Sequence, residues 1–236
     1  MHASHATHAD LERPIWNALT SEHAPLARGT GHARVFPRDV SPLAGVDSPA
    51  PAALTDLAAL ADPGETLALF MLEPFDPPPV WRTTRSLYID QMVCSEPPAS
   101  GAGDAAASLV RPMTERDVPD MLELTALTQP GPFRQRTIAM GRYFGIRAPD
   151  GRLAAMAGER LKLPRYTEVS AVCTHPDHLG RGYAQALMLQ VMSLIRAEGK
   201  TPFLHVKTDN DRAKRVYERL GFRPSRQIWL AVLERA

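Results

Sequence analysis

Between Glu168 and Phe222 the chain switches between strand-forming and helix-forming patterns in an order that few folds accept. Glu168 to Thr174 is a run rich in small and β-branched residues suited to a strand, and Pro176 and Asp177 break it. Leu179 to Ala184 (LGRGYA) then places two glycines around Arg181, directly before a helical pattern with Ala184, Leu187, Met188, Val191 and Ile195 on one face. Gly199 stops that helix, and Pro202 to Val206 gives a second buried strand. Asp209 or Asn210 caps a short helix that turns Ala213, Val216, Tyr217 and Leu220 inward, and Gly221 ends it. The first N–H groups of a helix have no partner inside it, and the helix dipole adds partial positive charge there. The turn at Gly180 to Ala184 therefore predicts an anion site, with phosphate as the expected anion.

Two motifs in this stretch resemble those of the GNAT superfamily of acyl-CoA-dependent N-acyltransferases. The family's pyrophosphate loop is a Gln or Arg, two residues, a Gly, any residue, then Gly or Ala. Here it is Leu179, Gly180, Arg181, Gly182, Tyr183 and Ala184, with Leu179 departing from the polar first position. That departure removes a side-chain contact and leaves the backbone cradle intact. The second signature appears as Asn210, Ala213, Tyr217, Gly221 and Phe222. The resemblance covers about Ser108 to Ala236. It implies a GNAT-type α/β (α+β) fold, a mixed, mostly antiparallel central sheet flanked by helices, here preceded by a smaller α/β N-terminal domain.

The chain has 236 residues, enough for one large domain or two small ones. A net charge of +1 argues against a nucleic-acid partner or a membrane-surface patch. Cys94 and Cys173 are too few for a disulfide framework, and the sequence shows no secretory or membrane-spanning apolar run, so a cytoplasmic, reduced protein is expected. No metal-ligand spacing is present beyond His2, His5 and His8 in a leader spanning residues 1–13, which suits a disordered segment better than a metal site. Monomer and homodimer both stay open.

The expected domains are an N-terminal α/β unit at 14–98, a linker at 99–107 inside the small-residue segment Ser95 to Ser108, and the acyltransferase domain at 108–236. Within the first, helices are expected near Ile15 to Glu22 and Ala52 to Ala61, with strands at His32 to Phe36, Thr66 to Met71 and Ser86 to Val93. Trp81 is expected to anchor a small core. The unit is either a degenerate copy of the family's N-terminal half or an unrelated small domain. In the second, Ser108 to Thr114 predicts a strand whose Thr114 caps a helix running to Leu127. A short helix near Arg134 to Met140 follows. Arg142 to Ile146 and Leu153 to Lys162 flank Pro149-Asp150-Gly151 as a hairpin, and Arg226 to Leu233 closes the sheet.

The resemblance also implies site roles. Pyrophosphate of acetyl-CoA would lie on Leu179 to Ala184, with charge from Arg181. The pantetheine arm would pair with the backbone of Val172, Cys173 and Thr174 and touch Asn210, and an N–H near Val172 would polarise the thioester carbonyl. Glu168 is a carboxylate in a strand built for burial. It is a general base or water relay if burial raises its pKa toward neutrality, and otherwise an ion-pair partner or a clamp for the acceptor ammonium. Glu159 is a second candidate, for the acceptor site or a salt bridge. Tyr217 is either the acid that protonates the departing thiolate or a core aromatic. Cys173 as a nucleophile, His175 and His178 as ligands and His205 as a catalyst fit less well than structural roles. The expected activity is transfer of acetyl from acetyl-CoA to a primary amine of a small molecule or amino acid. Acetylation of protein lysines or N-termini, or a non-catalytic acyl-CoA sensor, are the alternatives.

Overall fold

The structure, a computed structural model, describes residues 8–96 and 104–236. The elements in chain order are α1 (Pro14–Leu19), β1 (Ala33–Val35), β2 (Ala44–Val46), α2 (Pro51–Ala58), β3 (Thr66–Met71), β4 (Trp81–Val93), α3 (Asp104–Ala107), β5 (Arg111–Pro112) and α4 (Val118–Thr128). They continue as β6 (Tyr143–Arg147), β7 (Leu153–Lys162), β8 (Tyr166–Thr174), α5 (Tyr183–Ala197), β9 (Thr201–Lys207), α6 (Asp211–Arg219) and β10 (Arg223–Arg235). The fold is mixed α+β, with a mostly antiparallel sheet flanked by helices. No helix among the described residues is long and apolar enough to cross a membrane.

Two compact units emerge, and neither is one continuous piece of chain. The first holds residues up to Phe36, Leu43–Leu87 and Ile228–Ala236; the second holds Pro37–Pro42 and Tyr88–Gln227. The division expected at 99–107 falls elsewhere, because the chain changes unit inside the long strands β4 and β10. Residues 97–103 and 1–7 lie outside the described residues, and the disordered leader expected at 1–13 does not extend to its end, because Ala9–Leu11 form a 3-10 turn that buries Leu11.

In the first unit, Pro51 starts α2 with its φ already helical, and Ala53, Leu54, Leu57 and Ala58 form the buried stripe. They pack on Leu67, Leu69, Trp81 and Leu233. Trp81 is the anchor expected of it: its indole N–H donates to the Leu54 carbonyl at 2.9 Å. β3 pairs antiparallel with the end of β10, from Trp229 opposite Met71 to Glu234 opposite Thr66.

In the second unit, neighbouring strands follow the order β4-β9-β8-β7-β6-β5, and β8 with β9 is the parallel pair. One face buries Leu187, Met188, Val191 and Ile195 of α5 against Ala155, Ala157, Val169 and Leu204. The other seats Val118, Met121 and Leu124 of α4 on Tyr143, Met156 and Cys173. The strand expected over Ser108 to Thr114 shrinks to Arg111–Pro112. Pro112 has no N–H to donate, and Thr114 is already committed to a capping box with Asp117. The short helix expected near Arg134 to Met140 is a single tight turn, Thr137–Met140, tied to the 37–42 segment by Thr137 Oγ1 donating to the Val40 carbonyl at 2.6 Å.

Candidate active site

The glycine turn has the geometry its sequence predicts. Gly180 and Gly182 sit at φ +78° and +75°, a region that costs other residues about 1–2 kcal/mol each. A Cβ added at either would meet no atom within 4 Å, so backbone conformation demands glycine and the space beside the turn is open. The first bond of α5 runs from Ala186 N to Gly182 O at 3.0 Å, which leaves the N–H groups of Tyr183, Ala184 and Gln185 ahead of the intrahelical ladder. Arg181 is exposed, and among the described residues no carboxylate pairs with it. Leu179 is also exposed, so the residue that departs from the family pattern does not fill the cradle. These donors suit a diphosphate through the backbone alone.

Upstream of the turn the sheet opens. Parallel pairing of β8 with β9 runs only from Tyr166 opposite Thr201 to Glu168 opposite Phe203, although β8 continues to Thr174 and β9 to Lys207. Past that point β9 pairs on its other side with β4. On β8 the register against β7 slips between Ser170 and Cys173, and Ala171 takes φ +53°, an uncommon left-handed angle for alanine. This bulge and the lost partner fall on the stretch that holds Val172, Cys173 and Thr174, where Ser170, Ala171 and Val172 are only half-buried. A chain of amides can enter such a fork as an added strand. Nothing in the sequence pattern marks Ala171, because alanine gives no sign of a positive φ.

Glu168 sits at the root of the fork, fully buried. Arg160 grips it with two bonds, Nε to Oε2 at 2.8 Å and Nη2 to Oε1 at 2.6 Å. His205 donates from Nδ1 to Oε1 at 2.7 Å, and its Nε2 meets the Gln91 amide nitrogen at 3.1 Å. Desolvation alone would raise this carboxyl, but the charge and hydrogen bonds of Arg160, with His205 behind them, outweigh it and lower the pKa to about 2. The elevation toward neutrality expected for a general base is therefore replaced by its opposite. Of the roles left open for Glu168, the ion pair is the one the geometry displays. Arg160, His205 and Gln91 did not figure as its partners in the sequence, although the short turn joining β7 to β8 puts Arg160 close to opposite Glu168.

Glu159 is likewise buried and ion-paired, with Arg142 and with Lys162 at 2.8 Å. Tyr217 is half-buried and sets its ring edge-on to Phe222 at 6.1 Å. Burial, then the neighbouring Cys173, pushes its phenol up to about 12. Burial also pushes the Cys173 thiol up to about 11, which keeps it protonated and a poor nucleophile. Asn210 caps α6, its Oδ1 accepting from Ala213 N at 3.1 Å. His175 caps the turn ahead of the loop through Asp177 N at 3.2 Å, and His178 stacks on Tyr183 at 6.3 Å.

The FR47-like protein family matches residues 143–230, the part of the chain that holds the fork, the glycine turn and α6. A crystal structure from Novosphingobium aromaticivorans, described as an acetyltransferase of the GNAT family, is 37% identical. It covers 96% of this chain and 98% of its own, with a TM-score of 0.87. A GCN5-related N-acetyltransferase from Kribbella flavida shares the fold at 18% identity, covering 94% of each chain with a TM-score of 0.60. A GCN5-related N-acetyltransferase-like protein from Streptococcus suis does so at 13% identity, covering 98% of this chain and 95% of its own with a TM-score of 0.62. No curated protein matches.

Proposed function

The chain belongs to the GNAT family, and on that basis we propose that it transfers acetyl from acetyl-CoA to a primary amine of a small molecule or amino acid by direct attack in a ternary complex. The observation that carries this reading is that the strand losing its partner after Glu168 leads straight into the open glycine turn of α5. A thioester with a peptide-like arm and a diphosphate needs these two features in that order. Backbone N–H groups of Gly180 to Ala184 would hold the diphosphate, with Arg181 adding charge. The amides of Val172, Cys173 and Thr174 would receive the pantetheine, and Asn210 would contact it from the start of α6. An N–H near Val172 would polarise the carbonyl, a contribution of about 3–4 kcal/mol in acyl transfer.

The amine nitrogen attacks the thioester carbon, the C–S bond breaks, and the thiolate takes the Tyr217 proton. Tyr217 recovers a proton from the nascent ammonium. A phenol held near 12 stays protonated at neutral pH, and because it is a weaker acid than a thiol its proton passes to the thiolate only as the ammonium replaces it, in one relay. Glu168 serves in this scheme as an ionised anchor, and the acceptor enters as its neutral amine, having lost its proton to water.

Tyr217→Phe is expected to lower the turnover of a reacting amine by about tenfold to a hundredfold while the affinity for acetyl-CoA stays put. Release of free thiol against an amine panel, with calorimetry for binding, measures both. Turnover equal to the parent protein would assign Tyr217 to packing alone. Tight acetyl-CoA binding with no thiol release from any amine would favour the sensor reading.

Gly182→Val tests the cradle. A β-branched residue at φ +75° is strained by about 1–2 kcal/mol, so the turn should shift or fray. Calorimetry should then show coenzyme A affinity falling by at least about tenfold, the loss that about 1.4 kcal/mol represents. Undiminished affinity would move the phosphate site elsewhere.

A further inference from the structure

Seven basic residues against three acidic ones fall between Lys207 and Arg226, in a chain whose net charge is only +1. Lys214 is engaged by Asp90 at 3.2 Å and Asp211 at 3.5 Å. The arginines of the same helix are not engaged: among the described residues no carboxylate pairs with Arg212, Arg215 or Arg219. Arg215 and Arg219 stand one turn apart on α6, so their side chains share a face. With Glu218, Arg223 and Pro224 they line a shallow, largely open depression of about 500 Å³. No residue of the 179–184 turn contributes to it.

Arg223 is the built part of this depression. Its Nη1 donates to the Glu218 carbonyl at 2.9 Å and the Phe222 carbonyl at 3.0 Å, at the carboxyl end of α6. Those bonds offset the partial negative charge of the helix end and fix the guanidinium in place, yet they leave its formal charge without a carboxylate partner. One held cation and two free ones therefore converge on a concavity that holds a single carboxylate. Solvated surface arginines are common, but a pre-positioned guanidinium beside two others within ligand-sized space is the arrangement that a multiply charged anion needs. Guanidinium forks match phosphate oxygens in bidentate fashion, and arginines spread along α6 and beyond its end suit an anion that carries its charge on more than one phosphate.

We propose that this depression binds an oligophosphate, either free or carried on a nucleotide, at a site separate from the acyl-donor turn. The inference does not rest on the acyltransferase reading. Coenzyme A serves in the test only to fill the other phosphate site. The 236-residue protein, saturated with coenzyme A, is titrated with sodium tripolyphosphate and with ATP by calorimetry at low and moderate salt.

Tripolyphosphate is expected to bind, and the double variant Arg219→Ala with Arg223→Ala to bind it at least about tenfold more weakly, with coenzyme A affinity unchanged. Affinity should fall as salt rises, since exposed charges are screened over about 10 Å at 0.1 M. ATP stronger than tripolyphosphate would identify a nucleotide, and equal affinities the bare phosphate chain. No heat from either, equal heats from parent and variant, or tighter binding of duplex nucleic acid or an acidic peptide than of tripolyphosphate would each overturn the proposal. A protein that ignores coenzyme A but loses tripolyphosphate in the double variant would leave this site standing and remove the acyltransferase reading alone.

Discussion

Residues 108–236 expressed alone are expected to form no cooperatively folded domain. The reason lies in β4, whose end belongs to the second unit: Ile89 to Val93 pair antiparallel with Lys207 to Phe203. Ile89, Met92, Val93 and Cys94 are all buried, and Met92 and Cys94 lie in the core with Leu204, Leu220 and Phe222. Cys94 N also donates to the Pro202 carbonyl at 2.9 Å, and the Arg196 guanidinium to the Cys94 carbonyl at 2.7 Å. Burying one large apolar side chain is worth roughly 1.5–3 kcal/mol. Losing three of them, and baring the edge of β9, removes a share comparable with the whole stability of a domain, about 5–15 kcal/mol.

Dispersed amide resonances and a sharp melting transition from the 108–236 fragment would refute this. Coexpression of residues 1–98 should restore soluble protein, because that piece carries the missing strand and the 37–42 segment. The converse holds for the first unit, where Ala231 and Leu233 of β10 complete the core around Leu67 and Leu69.

This exchange of strands explains what the sequence could and could not disclose. Local chemistry marks an element well: Thr66–Met71 and Leu153–Lys162 run to their predicted ends, Asn210 caps α6, and both loop glycines take positive φ. Pairing partners leave no such mark. The run from Ser86 to Val93 identifies itself as a strand, yet nothing in it says that its neighbour is 110 residues and more downstream rather than Thr66–Met71. The small-residue segment after Cys94 has the composition of a domain boundary, while the boundary that packing makes lies inside the strands on either side of it. At the site, the glycine turn was legible because backbone angle dictates residue type there. The fork was not, because it depends on where β8 and β9 stop pairing and on an alanine in a conformation usually left to glycine.

Glu168→Gln is expected to cost stability first and activity only as a consequence. The change removes the negative charge that the buried Arg160 guanidinium faces across the pair, and breaking such a buried pair costs about 3–5 kcal/mol. For a chain of this size that is a fall in Tm of roughly 10 °C. The double variant Glu168→Leu with Arg160→Met should recover most of it, since an apolar pair of similar volume avoids both desolvation penalties, with the His205 Nδ1 donor left as the remaining deficit. The pH dependence follows from the sign of the shift. The folded pKa, about 2, lies below the ordinary carboxyl value of 4.5, so the parent holds the pair's full contribution above pH 4.5. It loses that contribution as the pH falls toward 2, and the double variant should lack this acid-sensitive component. A general base would behave otherwise: Glu168→Gln would keep the parent's Tm and lose turnover by a hundredfold or so. Melting curves and amine-dependent thiol release on the same three proteins separate the two roles, and an unshifted Tm in the single variant would return Glu168 to the chemistry.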